Sequence, residues 1–245
     1  MSLPVFWMDG RRLRAGDRLE LDGDEGHHAA VVRRIRAGEF IELTDGAGHL
    51  ARCVVVDTGK RELICEVRSR SDVPPPAPRV TVVQALPKGD RGELAVELMT
   101  EVGVDVIVPW AAGRCITQWK GERGARALRR WRSTAREAAK QSRRAWFPDV
   151  AELATTAAVA KYVEATRLAL VLHEGAVRGL GELTVPVDGD VVLVVGPEGG
   201  IADDEIAQLT AAGGLAVRLG PTVLRTSTAG AIAAGVLLSR TARWG

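Results

Sequence analysis

Two patterns of apolar and polar positions divide the chain. Up to residue 73 the apolar residues come in short runs, Phe40–Leu43, Ala51–Asp57 and Leu63–Val67, with turn chemistry at Asp45–Gly46–Ala47–Gly48. Strand-length runs bounded by turn residues read as a small, mostly β, barrel-like domain over residues 1–73. From residue 79 the runs lengthen and alternate with helical periodicity. Strands are expected at Arg79–Leu86, Val104–Pro109, Leu168–His173, Val191–Val195 and Leu215–Leu219. Helices are expected from about Asp90 to Val102, closed by Gly103, and from Gly121 to about Ala145, closed by Pro148. Two more run from about Asp203 to Ala211 and from about Ser227 to Arg240. Apolar strands alternating with helices predict an α/β domain over residues 79–245, its mostly parallel sheet covered on both faces. Ligands of such sheets sit at the C-terminal strand ends. Between the two patterns, residues 74–78 hold four prolines in five positions, which favours an extended linker.

Composition narrows the class. The 245 residues are 46% hydrophobic and 26% charged, which excludes a disordered or low-complexity chain. No apolar run approaches a membrane span, no signal peptide is readable, and a cytoplasmic protein is expected. Cys53, Cys65 and Cys115 are widely spaced and read as reduced structural thiols. His27, His28 and His49 lack partners at ligand spacing, so no metal site is expected.

The net charge of +2 conceals a strong asymmetry. Residues 114–144 carry eleven Lys or Arg against only Glu122 and Glu137. A field that concentrated points to a polyanion, and the expected RNA contacts are Arg123, Arg126, Arg129, Arg130, Arg132, Arg136, Lys140 and Arg143. Trp119, Trp131 and Trp146 lie within or beside this block. Interleaved aromatic rings suit RNA, but core packing is the better reading for these three.

Two loops at strand ends are candidates for ligand chemistry. Gly196–Pro197–Glu198–Gly199–Gly200 allows close main-chain approach and suits an adenine edge, but it is neither GxGxxG nor a Walker loop. Leu219–Gly220–Pro221–Thr222–Val223–Leu224–Arg225–Thr226 repeats the Gly-Pro arrangement and runs into a helix start. Either alone could be a tight βα turn; two at neighbouring strand ends point to one cofactor cleft. Asp203, Asp204 and Glu205 read as first-turn acids that complement a helix dipole.

The segments ALPKGDR (85–91), TEVGVDVIVPW (100–110), REAAKQSRR (136–144), VVGPEGGIADDEI (194–206) and LGPTVLRTSTA (219–229), in that order, resemble the family that methylates uridine N3 in 16S ribosomal RNA. That family belongs to the SPOUT class of methyltransferases. Residues 27–49 are similar to its small PUA-like RNA-binding domain. The resemblance implies a deep trefoil knot in the C-terminal domain, S-adenosylmethionine bound bent inside it, and a homodimer whose partner chain completes each active site. The partner would be 16S rRNA within the small ribosomal subunit. The implied cofactor residues are Leu172 and His173, Val195, Gly196, Pro197, Glu198, Gly199 and Gly200. From the last loop come Leu219, Gly220, Pro221, Leu224, Arg225 and Thr226. One departure stands out: Ser227 occupies a place where the family usually has an acidic residue.

Uracil N3 is a poor nucleophile until its imide proton leaves, and the resulting anion spreads over O2 and O4. Cations nearby would stabilise it, and Arg91, Arg114 and Arg225 are the candidates; a phosphate contact or surface ion pair is the competing role for each. Glu198, inside the cofactor loop, is expected to hold the loop or meet the amino end of the cofactor rather than act as base. Two rival functions remain at this point. One is an RNA-binding ribosome-assembly factor that keeps the fold without activity, and the other is a dinucleotide-dependent enzyme, which the lack of GxGxxG with a following acid disfavours.

Overall fold

The computed structural model describes residues 3–244. They form two compact units: one runs up to Pro75 and takes in Ala139–Phe147, and the other comprises Pro76–Ala138 and the chain from Pro148 onwards.

The first unit contains β1 (Val5–Trp7), α1 (Gly10–Leu13), β2 (Arg18–Leu21), α2 (Gly23–His27), a π turn (His28–Val32), β3 (Phe40–Thr44), β4 (His49–Thr58) and β5 (Leu63–Asp72). The sheet order is β1-β3-β4-β5-β2, antiparallel except for the β1/β3 pair. Along β4, Ala51, Cys53 and Val55 face a core shared with Ile41, Leu43, Leu63 and Cys65, while Arg52 points outward. That alternation is what a sheet buried on one face requires. Register shifts at Arg52/Cys53 and Val55/Asp57 add twist and curl the sheet. The result is a half-barrel rather than the expected barrel. Edge strands β1 and β2 are only three and four residues long and do not pair across the gap, and Leu13 and Ala29 from the helical segments fill the core instead. Burial pushes the Cys53 thiol up to about 11 and the Cys65 thiol up to about 12. Both therefore pack as small, protonated apolar groups.

Residues 139–147 complete this unit. Phe147 donates its amide to the Gly46 carbonyl, Gly48 donates to the Ala145 carbonyl, and Trp146 Nε1 donates to the Val73 carbonyl at 2.9 Å. The approach is so close that a Cβ on Gly46 would lie 2.7 Å from Phe147, and one on Gly48 2.8 Å from Trp146. These contacts explain why the long basic helix stops short of Ala145. It ends at Gln141, and Arg143 turns the chain at a φ of 55° toward the Asp45–Gly48 turn.

The second unit contains β6 (Arg79–Ala85), α3 (Arg91–Val102), β7 (Val106–Trp110), α4 (Gly121–Gln141, which crosses into the first unit), β8 (Asp149–Val150), α5 (Thr156–Glu164) and β9 (Leu168–Leu172). A 3-10 turn (Leu180–Glu182), β10 (Asp190–Val195), α6 (Asp203–Ala211), β11 (Leu215–Val217) and α7 (Thr226–Leu238) follow. All six strands pair in parallel in the order β11-β9-β10-β6-β7-β8. One face packs Val80, Val82 and Leu193 against α3, α4 and α7; the other packs Val83, Val108 and Val194 against α5 and α6. Burial on both sides is why the strands are apolar along most of their length. Gly103 closes α3 at a φ of 106°, the left-handed conformation the expected helix end required. No helix among the described residues is long and apolar enough to cross a membrane.

A buried clamp ties the chain's last turn to the strand starts. Arg243 grips both oxygens of Asp105, at 2.6 and 3.1 Å, and also donates to the carbonyls of Pro78 and Gly103. Asp105 in turn accepts the Val80 amide at 2.9 Å. With side chains only 15% and 6% exposed, removing one partner leaves a charge buried alone. Arg243→Ala should therefore cost about 3–5 kcal/mol of stability, read from chemical denaturation; a loss below about 1 kcal/mol would show the clamp to be solvated.

Candidate functional site

Parallel pairing makes every strand of the second unit end at the same edge of the sheet. Loops from β11, β9, β10, β6 and β7 therefore emerge side by side, in that order. Adjacent strands lie about 4.8 Å apart, so side chains on neighbouring loops meet directly.

The GPEGG loop follows β10. Its first glycine is forced by close packing, since a Cβ on Gly196 would lie 2.5 Å from Ile201. Gly200 sits at a φ of 75° and donates its amide to the Pro197 carbonyl, closing a tight turn. Glu198 accepts the Lys88 amide at 3.1 Å, which anchors this loop to the one after β6. From the loop after β7, Arg114 Nη1 donates to the carbonyls of Gly199 and Ile201, both at 3.3 Å. A Cβ on Gly199 would stand 3.4 Å from that of Arg114.

On the other side of GPEGG, His173 follows β9, donates its amide to the Val217 carbonyl and accepts the Gly175 amide on Nδ1. The loop from Leu219 to Arg225 packs Leu219 and Leu224 on the core and leaves Val223 exposed; a Cβ on Gly220 would meet nothing within 4 Å. Thr226 and Ser227 are buried in the first turn of α7. Gln84, level with Val195 in the sheet, donates from Nε2 to the Thr226 carbonyl at 3.3 Å and so ties that helix start to β6. Its Oε1 is buried without a hydrogen-bond partner among the described residues.

The fold thus brings the two Gly-Pro loops, Leu172–His173 and Arg114 to one edge. Arg91 is the exposed first residue of α3, beyond the loop that Glu198 anchors, and Arg225 is exposed just before α7. Glu205 differs from its two acidic neighbours. Asp203 and Asp204 are exposed, as first-turn acids should be, whereas Glu205 is 6% exposed and accepts the amides of Gly113 and Ala202 and the Thr156 hydroxyl. Neither Glu205 nor Gln84 was expected as a site residue. A Glu three residues after a helix cap, and a lone Gln inside an apolar strand, were the available signals.

Along α4, Arg123, Arg126, Arg129 and Arg130 line one surface depression with Ser133, the side-by-side grouping that three- and four-residue helical spacing produces. Arg130 also lies 3.6 Å from Glu93. Arg132 turns to the Val150 carbonyl and Glu152, and Arg136 and Arg143 are exposed. Lys140 departs from the expected RNA contacts. Its side chain is 7% exposed and pairs with Glu25 at 2.5 Å within the first unit, because only a partner carboxylate lets an ammonium be buried. Trp131 is buried and meets Trp119 edge to face at 4.9 Å, so both rings are core. Among the described residues, no group of three or more His, Cys, Asp or Glu side chains stands within reach of one metal ion.

Comparison with known proteins agrees with this fold. A family model described as an RNA methyltransferase domain matches residues 74–238, and one described as an RNA methyltransferase PUA domain matches residues 21–68. A ribosomal RNA small subunit methyltransferase E of Mycobacterium bovis is 54% identical over 228 residues, covering 91% of this chain and 87% of that protein. The protein of the same name from Neisseria gonorrhoeae, solved bound to S-adenosyl methionine, has a TM-score of 0.85 at 28% identity, covering 97% of this chain and 98% of the other. A Legionella pneumophila protein solved with the cofactor SAM has a TM-score of 0.87 at 28% identity, covering 98% and 99%. With its sequence and its fold in agreement, the chain belongs to the ribosomal RNA small subunit methyltransferase E family.

Proposed function

We propose that this protein transfers a methyl group from S-adenosylmethionine to N3 of a uridine in 16S rRNA, within the assembled small subunit, and works in the cytoplasm. The observation that carries this reading is the meeting of the Leu172–His173, Val195–Gly200 and Leu219–Thr226 segments on three adjacent parallel strands, in a family with members solved bound to S-adenosylmethionine. The residues fit that cofactor. The left-handed turn at Gly200 and the open space over Gly220 present main-chain groups without intervening side chains, which suits an adenine edge. In this reading the segments fold as a trefoil knot of the SPOUT class, residues 74–78 link it to the RNA-gripping PUA-like domain of residues 1–73, and residues 79–245 carry catalysis.

The bound cofactor supplies an electrophilic methyl group on a sulfonium. The protein's task is to align the uracil and stabilise its anion. Arg91, Arg114 and Arg225 are the cations that lower the imide pKa by meeting negative charge on O2 and O4. Glu198, engaged with the Lys88 amide, holds the loop rather than taking the proton. Ser227 is buried and brings no carboxylate, so water or another group must receive the proton. The α4 depression holds phosphates. A homodimer covers α7, whose sequence is apolar all round and whose Ile232 is 45% exposed.

Incubation of unmodified small subunits with labelled S-adenosylmethionine, followed by nucleoside analysis, should place label in 3-methyluridine. Bound cofactor without transferred label would leave only an RNA-binding role. Gly199→Trp should weaken cofactor binding by about tenfold or more, in line with overpacking a tight turn; unchanged calorimetric affinity removes that loop from the site. Reversing charge at Arg126, Arg129 and Arg130 should shallow the salt dependence of RNA binding by about two to three units of log–log slope, whereas Lys140→Ala should leave the slope alone and cost about 3 kcal/mol of stability.

A further inference from the structure

We infer that Glu205 is a positioning residue that sets Arg114 against the GPEGG loop, an inference that rests on the proposed catalytic role of Arg114. A carboxylate leaves water only when donors replace its hydration, and three converge here. Oε1 accepts the Gly113 amide at 2.9 Å and the Thr156 hydroxyl at 2.7 Å, while Oε2 accepts the Ala202 amide at 3.2 Å. Thr156 gives its only proton to Glu205, and its oxygen accepts the Trp110 indole N–H at 3.2 Å. One buried charge therefore joins the end of β7, the start of α5 and the turn that leads into α6.

The consequence falls on the next residue. Gly113 is held by Glu205, and Arg114 immediately reaches back to Gly199 and Ile201, just ahead of that same turn. Residues 113–114 and 199–205 are thus laced twice, once through a backbone amide and once through a guanidinium. A first-turn acid serving only the helix dipole needs neither burial nor these partners, as Asp203 and Asp204 show. The site needs a carboxylate rather than an amide, because all three neighbours donate. The –NH2 of a glutamine has to face one of them.

Glu205→Gln keeps the volume and breaks at least one of these bonds. Amide exchange at Gly113, or at Ala202 if the –NH2 turns to that side, should quicken, turnover should fall by about tenfold to a hundredfold as Arg114 is misplaced, and cofactor affinity should stay within about twofold of the parent. The Glu205→Gln/Arg114→Ala double variant should be no slower than Arg114→Ala alone, since one residue acts through the other. Multiplied losses, cofactor affinity falling in step with turnover, or unchanged exchange at both Gly113 and Ala202 would each overturn the inference. Should Arg114→Ala retain full turnover, the catalytic reading of Arg114 fails, and the exchange measurement alone decides the positioning. Thr156→Val, which at nearly constant volume deletes one donor to Glu205 together with the acceptor of the Trp110 indole N–H, should quicken the same exchange to a smaller degree and replaces Glu205→Gln if that variant does not fold.

Discussion

The common direction of six strands governs this molecule. A parallel strand must be re-entered from its starting edge, so each connection recrosses the sheet and every loop that follows a strand lies on the opposite edge. Register brings the loops level: Gln84 stands beside both Val195 and Pro109, and Val217 beside Leu172. Residues far apart in the chain thereby become neighbours without any device of their own. Arg114 touches Gly199, and Glu198 touches Lys88, because β10, β6 and β7 end together.

That edge is assembled from weak pieces held by stronger ones. The glycines bring backbone close to backbone but contribute little packing of their own. Rigidity comes from beneath, where Trp110, the half-buried Thr156 and Glu205 form a polar chain and where both faces of the sheet are covered by helices. At the other edge Arg243 and Asp105 hold the strand starts. A loop surface poised for a ligand is thus fastened from below and behind, as preorganised binding requires.

Features governed by local chemistry were legible in the sequence. The helix over Asp203–Ala211, the Gly103 stop, the apolar strands and the two Gly-Pro loops each carry their cause within a few residues. Short elements were not: β1, β2 and β8 have too few residues to show a period, and α5 was missed although Thr155 caps it by accepting the Ala158 amide. Contacts distant in sequence were hidden altogether. Lys140 looks like one more cation in a basic run until Glu25, 115 positions away, is seen beside it, and the Glu205 bond to Gly113 spans 92 positions. The openness of the first sheet depends on bulges and on strand lengths that its hydrophobic pattern does not record.

The nine residues from Ala139 to Phe147 bear on how this protein can be dissected. They lie between stretches of the second unit in the chain but lean on the turn of the first, where Gly46 and Gly48 leave room for Phe147 and Trp146. The polypeptide consequently passes between the units three times, after Pro75, Ala138 and Phe147. A fragment cut at the proline-rich stretch would lose this strip and bare two aromatic footprints. The two halves are not interchangeable cassettes, and gene fusions or domain exchanges must carry the strip along with the N-terminal sheet.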